Sequence, residues 1–243
     1  MGRVAQFFNA LCDVILPPIC HICRNFIPNA GTLHICPDCH DRLPCAASPL
    51  CPTCGIPFAG AGADHRCGAC LTHPPHFDSA RAPFLYEGTI RDLIHAFKYD
   101  RRTHLRRPLA LLILEGLGEA LIEQRLDLII PVPLHRSRLR QRSFNQAALI
   151  GNLLSRRLSL PIMPDTLFRN RPTEPQINLP AAERRQNVKG AFTVHIPEHI
   201  AGKRILLLDD VMTTGSTMDE CAKELKDSGA AAVMAVTVAR TAR

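Results

Sequence analysis

Tryptophan is absent from this 243-residue chain and tyrosine occurs only twice, which argues against a broad aromatic platform for stacking nucleic-acid bases. No apolar run is long enough to read as a membrane span. The first residues offer Arg3 and a short apolar stretch, but Asn9 and Asp13 interrupt it and no small-residue cleavage site follows. Val4, Phe7, Phe8, Leu11 and Ile15 instead share one helical face. Residues 1–17 are therefore expected to form an amphipathic helix docked on the protein itself or on a partner. The segment carries too little positive charge to favour a membrane surface. No Gly-x-x-x-x-Gly-Lys-Ser/Thr stretch exists, which removes the P-loop nucleotide site. The expected compartment is the cytoplasm.

Cysteine is nearly missing beyond residue 70: ten of the eleven precede residue 71, and only Cys221 follows. A secreted disulfide framework would come with an export signal. The spacing says something else. Cys20, Cys23, Cys36 and Cys39 each return 31 residues later as Cys51, Cys54, Cys67 and Cys70. Each Cys-x-x-Cys knuckle can deliver two thiolates to one metal, and two knuckles close a four-thiolate zinc site. Eight cysteines imply one or two structural Zn²⁺ ions, with knuckles paired either in sequence or alternately. A segment this small and rich in Pro and Gly would take its folding energy from the metal. His21, His34, His40 and His65 lie nearby, but four cysteines per set leave them peripheral. Cys12, Cys45 and Cys221 read as ordinary buried or half-buried residues.

Charged residues make up 21% of the chain and hydrophobic residues 46%, the proportions of an ordinary globular protein. The net charge of +7 favours polyanionic partners, either a phosphate-rich substrate or nucleic acid. A Pro-rich joint at His73–His76 divides the chain into residues 18–76, the double ribbon, and residues 77–243, the main domain. There Ala80–Tyr86, Asp127–Ile130, Ile205–Leu208 and Ala230–Val238 read as strands alternating with helices at 90–97, 109–121, 146–158 and 218–225. That order predicts an α/β fold with a mainly parallel sheet.

Residues 205–217, Ile-Leu-Leu-Leu-Asp-Asp-Val-Met-Thr-Thr-Gly-Ser-Thr, carry the chemistry. A strand buried on both faces ends in Asp209 and Asp210, where it is expected to leave the sheet, and a hydroxyl-rich loop then opens a helix. A helix N-terminus favours phosphate. Paired carboxylates accept from two hydroxyls. A diol beside a phosphate describes ribose 5-phosphate. Upstream, Pro131-Val132-Pro133-Leu134 is a rigid strand exit, and Arg136, Arg138, Arg140 and Arg142 follow at alternate positions, dense guanidinium suited to diphosphate. A solvated face accounts equally well for Arg101, Arg102, Arg106 and Arg107.

The 205–217 stretch resembles the phosphoribosyl-pyrophosphate (PRPP) fingerprint of type I phosphoribosyltransferases. Pro-Val-Pro-Leu, the Phe97-Lys98-Tyr99 triplet, Arg142-Ser143-Phe144-Asn145-Gln146 and the polar segment 169–192 narrow this to the ComF family of competence-associated proteins. Ser143 stands where that family usually has Gly, which puts a left-handed backbone there in doubt. The resemblance implies a type I phosphoribosyltransferase fold behind a zinc ribbon, with PRPP or a phosphoribosylated nucleotide as ligand and Mg²⁺ bound with it. It implies ribose binding by Asp209 and Asp210, and 5-phosphate binding by Met212, Thr213, Thr214, Gly215, Ser216 and Thr217. Leu134, His135 and Arg136 would form the pyrophosphate loop, and Lys98, Arg171, Gln176 and Arg184 would serve the anion or a closing loop. It also implies a link to DNA uptake, with single-stranded DNA and competence-machinery proteins as partners. Either a transferase or a non-catalytic DNA-binding adaptor that senses PRPP or a nucleotide satisfies these features.

Overall fold

The computed structural model describes residues 17–28, 30–173 and 180–242. The expected N-terminal helix, Cys12 and Gln176 lie outside them. Internal contacts divide the chain into two units, Met1–Leu43 and Pro44–Arg243.

The first unit holds the first ribbon. Its knuckle closes with an Ile19–Phe26 bridge, Arg24 N–H donating to the Cys20 carbonyl and Arg24 in the left-handed region at φ 65°. Cys36 caps a short helix, α1 (Pro37–His40), and Cys39 lies within it. The second unit opens with the same device. Leu50 bridges Pro57, Gly55 N–H donates to the Cys51 carbonyl, and Gly55, the repeat-mate of Arg24, has φ 70°. Cys67 caps α2 (Gly68–Thr72). Only glycine adopts that conformation freely, so the first ribbon tolerates strain that the second avoids.

The rest of the second unit is built on a parallel sheet. The expected first strand is split by Pro83 into β1 (Ser79–Arg81) and β2 (Phe84–Leu85). Helices α3 (Gly88–Tyr99) and α4 (Arg106–Glu123) follow, then β3 (Leu128–Pro131), α5 (Arg136–Arg142) and α6 (Gln146–Leu158). A small antiparallel pair, β4 (Leu167–Arg169) and β5 (Phe192–Val194), flanks α7 (Ala181–Val188). The chain closes with β6 (Arg204–Met212), α8 (Ser216–Asp227) and β7 (Ala232–Arg240). The sheet order is β1-β7-β6-β3, with β2 also on β7, and every pair is parallel.

Both faces of β6 are covered, as its four consecutive aliphatic residues require. Ile205 and Leu207 join the cluster formed with Met218, Cys221, Ala222 and Leu225 of α8. On the other face, Leu208 meets α6 at Gly151, where an added Cβ would stand 3.3 Å from Leu208 and 2.7 Å from Ile162. The missing side chain lets that helix approach. The strand does not end at the acids. It runs on to Met212 because β7 is equally long and pairs with it through Asp209–Thr237, Val211–Ala239 and Met212–Arg240.

Two further expectations change. Cys45 is exposed, while Cys221 is fully buried on α8. Ser143 does adopt the left-handed conformation, with φ 69°, at the C-terminal cap of α5. A non-glycine residue costs about 1–2 kcal/mol there, partly offset by the roughly 0.5–1 kcal/mol of chain entropy that Gly would forfeit. Ser143→Gly should therefore raise unfolding stability by about 0.5–1 kcal/mol in denaturant titration. A loss of stability would show that the serine side chain contributes more than its strain.

Candidate functional site

The carboxyl ends of β3 and β6 open into a cavity of about 540 Å³, whose lining includes Lys98, Leu134, Arg138, Arg169, Asp209 and Asp210. Ligands of open α/β sheets bind at this end. Asp209 and Asp210 alternate across the strand. Asp210 is 6% exposed and meets Lys98 of α3 at 2.7 Å. Asp210 N–H donates to the Asp209 carboxylate at 2.8 Å. Burial alone would lower the Lys98 ammonium, but the charges of Asp210 and then Asp209 outweigh it and hold it raised. Among the described residues Asp209 has no such ion pair: burial, then the Asp210 charge, push its carboxyl up to about 7.

The loop after β6 divides its residues between two faces. Thr213 and Thr217 line the large cavity, whereas Met212, Thr214, Gly215 and Ser216 line a chamber of about 50 Å³ behind it. The Thr214 and Ser216 hydroxyls lie 2.9 Å apart, and Thr214 Oγ1 accepts from Ser216 N–H at 3.4 Å. Gly215 is left-handed at φ 83° and caps α8, so the turn needs glycine. The first-turn N–H groups of α8 and the loop hydroxyls supply an anion-holding end.

The opposite wall is made of arginine. Residues 136–142 form α5, so the alternating arginines do not share a face. Arg138 and Arg142, four apart, line the cavity, while Arg136 and Arg140 are exposed. Arg169 of β4 joins them. Burial and then Arg142 lower Arg138, and burial and then Arg138 lower Arg169. Among the described residues no carboxylate forms an ion pair with any of the three. Arg142 donates to Tyr99 Oη and Gln146 Oε1, both at 3.3 Å. Gln146 is 2% exposed, and its Nε2 and the Arg169 Nε are buried without a partner among the described residues. This donor-rich wall suits an oxygen-rich anion.

Sequence reasoning placed the pyrophosphate contacts at Leu134, His135 and Arg136. Of these Leu134 lines the cavity, whereas His135 caps α5, with Nδ1 accepting from Ser137 N–H at 3.3 Å. Arg184 lines the cavity; Arg171 donates instead to the Lys189 carbonyl at 2.7 Å. Of the four alternating arginines only Arg138 and Arg142 face the cavity, because α5 is helical; Gln146, at the start of α6 beyond the left-handed turn at Ser143, was not singled out.

The eight repeated cysteines gather sequentially: Cys20, Cys23, Cys36 and Cys39 in one cluster, Cys51, Cys54, Cys67 and Cys70 in the other. Cys23–Cys36 and Cys54–Cys67 Sγ separations are both 3.7 Å. Thiolates about 2.3 Å from a tetrahedral zinc stand about 3.8 Å apart, so both clusters fit Zn²⁺. Burial raises the Cys51 thiol, but N–H donors from Cys54 and Cys67 outweigh it and bring it down to about 6. Such donors favour the thiolate. These are closed structural Zn²⁺ sites, the metal supplying folding energy. His21 stacks on His34 and His65 on Phe58, outside both sets.

The chain matches the double zinc ribbon domain family over residues 11–71 and the phosphoribosyl transferase domain family over residues 145–243. It is 36% identical to the DNA utilization protein YhgH of Escherichia coli K12 across 93% of this chain and 98% of that protein. It is 33% identical to Competence protein F of Haemophilus influenzae across 86% and 94% of the two chains. Competence protein ComFC of Bacillus subtilis is 22% identical across 85% and 84%. Among solved structures, a glutamine PRPP amidotransferase from Bacillus subtilis complexed with ADP and GMP gives a TM-score of 0.37 at 18% identity, covering 58% of this chain and 30% of that one. The ribbon repeat, the phosphoribosyltransferase domain and the full-length relatives together establish that the chain belongs to the ComF family.

Proposed function

We propose that the cavity binds PRPP and that the protein transfers its phosphoribosyl group to an acceptor with release of pyrophosphate. The observation that carries this is one cavity with three kinds of wall: a carboxylate pair, the Thr213 and Thr217 hydroxyls at the start of α8, and an arginine cluster with an unpartnered buried donor at Arg169 Nε among the described residues. These match the diol, the 5-phosphate and the diphosphate of a single molecule. Asp209 and Asp210 accept from the ribose hydroxyls. The 213–217 loop and the first turn of α8 hold the 5-phosphate. Arg138, Arg142 and Arg169 take the diphosphate, whose negative charge grows as the C1–O bond breaks, so the wall stabilises the transition state more than the ground state. An acceptor lone pair forms the new bond to C1, and both electrons of the broken bond leave with pyrophosphate. If Mg²⁺ is bound with the substrate, Asp209 and Asp210 would be the oxygen donors that hold it, and it would supply positive charge toward the leaving diphosphate.

Calorimetry should show PRPP binding in the presence of Mg²⁺, and Asp209→Ala with Asp210→Ala should abolish pyrophosphate release. A protein that takes up no PRPP would overturn the reading.

Asp209 makes binding sensitive to pH. Only its ionised form accepts from both hydroxyls, so PRPP affinity should fall toward about tenfold per pH unit below about 7. Asp209→Asn should flatten that slope. Stability runs the opposite way. The folded carboxyl titrates near 7 and the unfolded one near 3.8, so the fold holds the extra proton between those values and loses stability as pH rises through them. Asp209→Asn should melt higher than the parent above about pH 7, and the difference should vanish toward about pH 4. Parallel melting curves at all pH values would contradict the assignment.

The names of the relatives favour a second reading, a DNA-handling role in uptake or utilisation, with single-stranded DNA and competence-machinery proteins as partners. Exposed Arg136 and Arg140 on α5 give it a surface beside the cavity. Filter retention of single-stranded DNA should weaken with salt, the log–log slope decreasing by about 0.7 for each phosphate contact removed, for example in Arg136→Ala with Arg140→Ala. Retention insensitive to salt, or none, counts against it. No helix among the described residues is long and apolar enough to cross a membrane.

A further inference from the structure

The second ribbon does not stand apart from the phosphate-holding loop. Its knuckle lies on β1: Ala80 N–H donates to the Thr53 carbonyl at 2.7 Å, and Arg81 Nη1 donates to the Pro52 carbonyl at 2.9 Å. The fit is tight enough that a Cβ at Gly55 would stand 2.6 Å from the Ala80 carbonyl oxygen. Cys54 packs against the main core as well as the ribbon's own small cluster.

From that platform two connections reach the two ends of the loop. At its entry, Arg240 of β7 is 3% exposed, lies in register with Met212, and donates through Nη1 to the Cys54 carbonyl. The next residue fastens the same point, with Thr241 N–H on the Met212 carbonyl at 3.0 Å and Thr241 Oγ1 on the Thr213 carbonyl at 3.5 Å. At the exit, the Asp219 carboxylate accepts from His76 N–H at 2.7 Å and lies 2.8 Å from His76 Nδ1. Asp219 N–H in turn closes the first turn of α8 on the Gly215 carbonyl at 2.8 Å. His76 follows Cys70 by a short link containing Pro74 and Pro75, which have few conformations with which to absorb a displacement. Between the two connections lies the small chamber, with Cys54 and Cys70 on one side and Thr214, Gly215 and Ser216 on the other.

We propose that the second tetra-cysteine ribbon is a positioning element of the phosphate-holding loop, acting through Arg240 at its entry and the His76–Asp219 contact at its exit. Metal occupancy of that ribbon then sets how well residues 213–217 hold a sugar phosphate. The inference rests on the PRPP reading for its ligand but not for its geometry. Neither Arg240 nor His76 lines the large cavity, so both are positioning residues that act through the loop backbone.

The test uses the full chain. Cys70→Ser removes a ligand from the second ribbon, Cys39→Ser removes the equivalent ligand from the first as a control for metal loss itself, and His76→Ala cuts the exit contact while keeping all eight thiols. Zinc content, backbone amide exchange and calorimetric affinity for PRPP with Mg²⁺ are read for each. Cys70→Ser and His76→Ala should each speed exchange of the 213–217 amides and weaken PRPP binding by about tenfold, equivalent to about 1.4 kcal/mol. Cys39→Ser should change both by less than about twofold. His76 is exposed, so its variant keeps the test open where Cys70→Ser fails to fold. Unchanged loop exchange in His76→Ala overturns the proposal, and so does an equal effect from Cys39→Ser. If the parent protein binds no PRPP, the functional reading fails and the exchange measurements still decide this one.

Discussion

Two adjacent carboxylates at the end of a buried strand are electrostatically expensive, and much of the second unit is arranged around that fact. β6 carries both acids within the sheet, because β7 pairs with it past both. One charge is met directly by Lys98, delivered from α3 by a helix face whose other members, Ile90, Leu93, Ile94 and Phe97, are buried. The other is buried beside that neighbour's charge, and its proton affinity rises accordingly. The unequal treatment pairs one carboxylate with an ammonium and leaves its neighbour to titrate at about 7.

The arginine wall is the complementary half of the same problem. Three guanidinium groups face a shared space, and burial together with the neighbouring cations lowers Arg138 and Arg169. Their hydrogen bonds go to Thr173, Tyr99 and Gln146 rather than to carboxylates. Acids on the floor and bases on the wall would neutralise each other if they touched. Keeping them apart across a cavity preserves both sets for a molecule that carries hydroxyls at one end and phosphates at the other.

Much of this was legible in the residues because its signals are local. A run of aliphatic residues ending in two acids and a Thr/Ser/Gly loop identifies a strand, a ligand end and a helix start within thirteen positions. The cysteine repeat is equally local, although the choice between sequential and alternate pairing came only from the structure. What escaped was set by longer-range partners. The length of β6 is dictated by β7, and the facing of Arg138 and Arg142 depends on α5 being helical. The left-handed backbone at Ser143 shows that glycine marks such a position when present but does not define it. The docking of the second ribbon could not be read at all, since it depends on carbonyls of residues 52–54 that carry no sequence signal.

The repeat-mates Arg24 and Gly55 share one backbone conformation but not one set of obligations. Gly55 has a carbonyl oxygen pressed against the place its side chain would fill, whereas Arg24 occupies the same turn with a long side chain. A duplicated module has thus acquired two different mutational tolerances. The first copy's turn can be rewritten at the cost of some strain. The second has become a fixed part of the second unit, so the copies are not interchangeable. Grafting the first ribbon's turn into the second position would drive a side chain into the sheet edge, however faithfully its four thiols were placed.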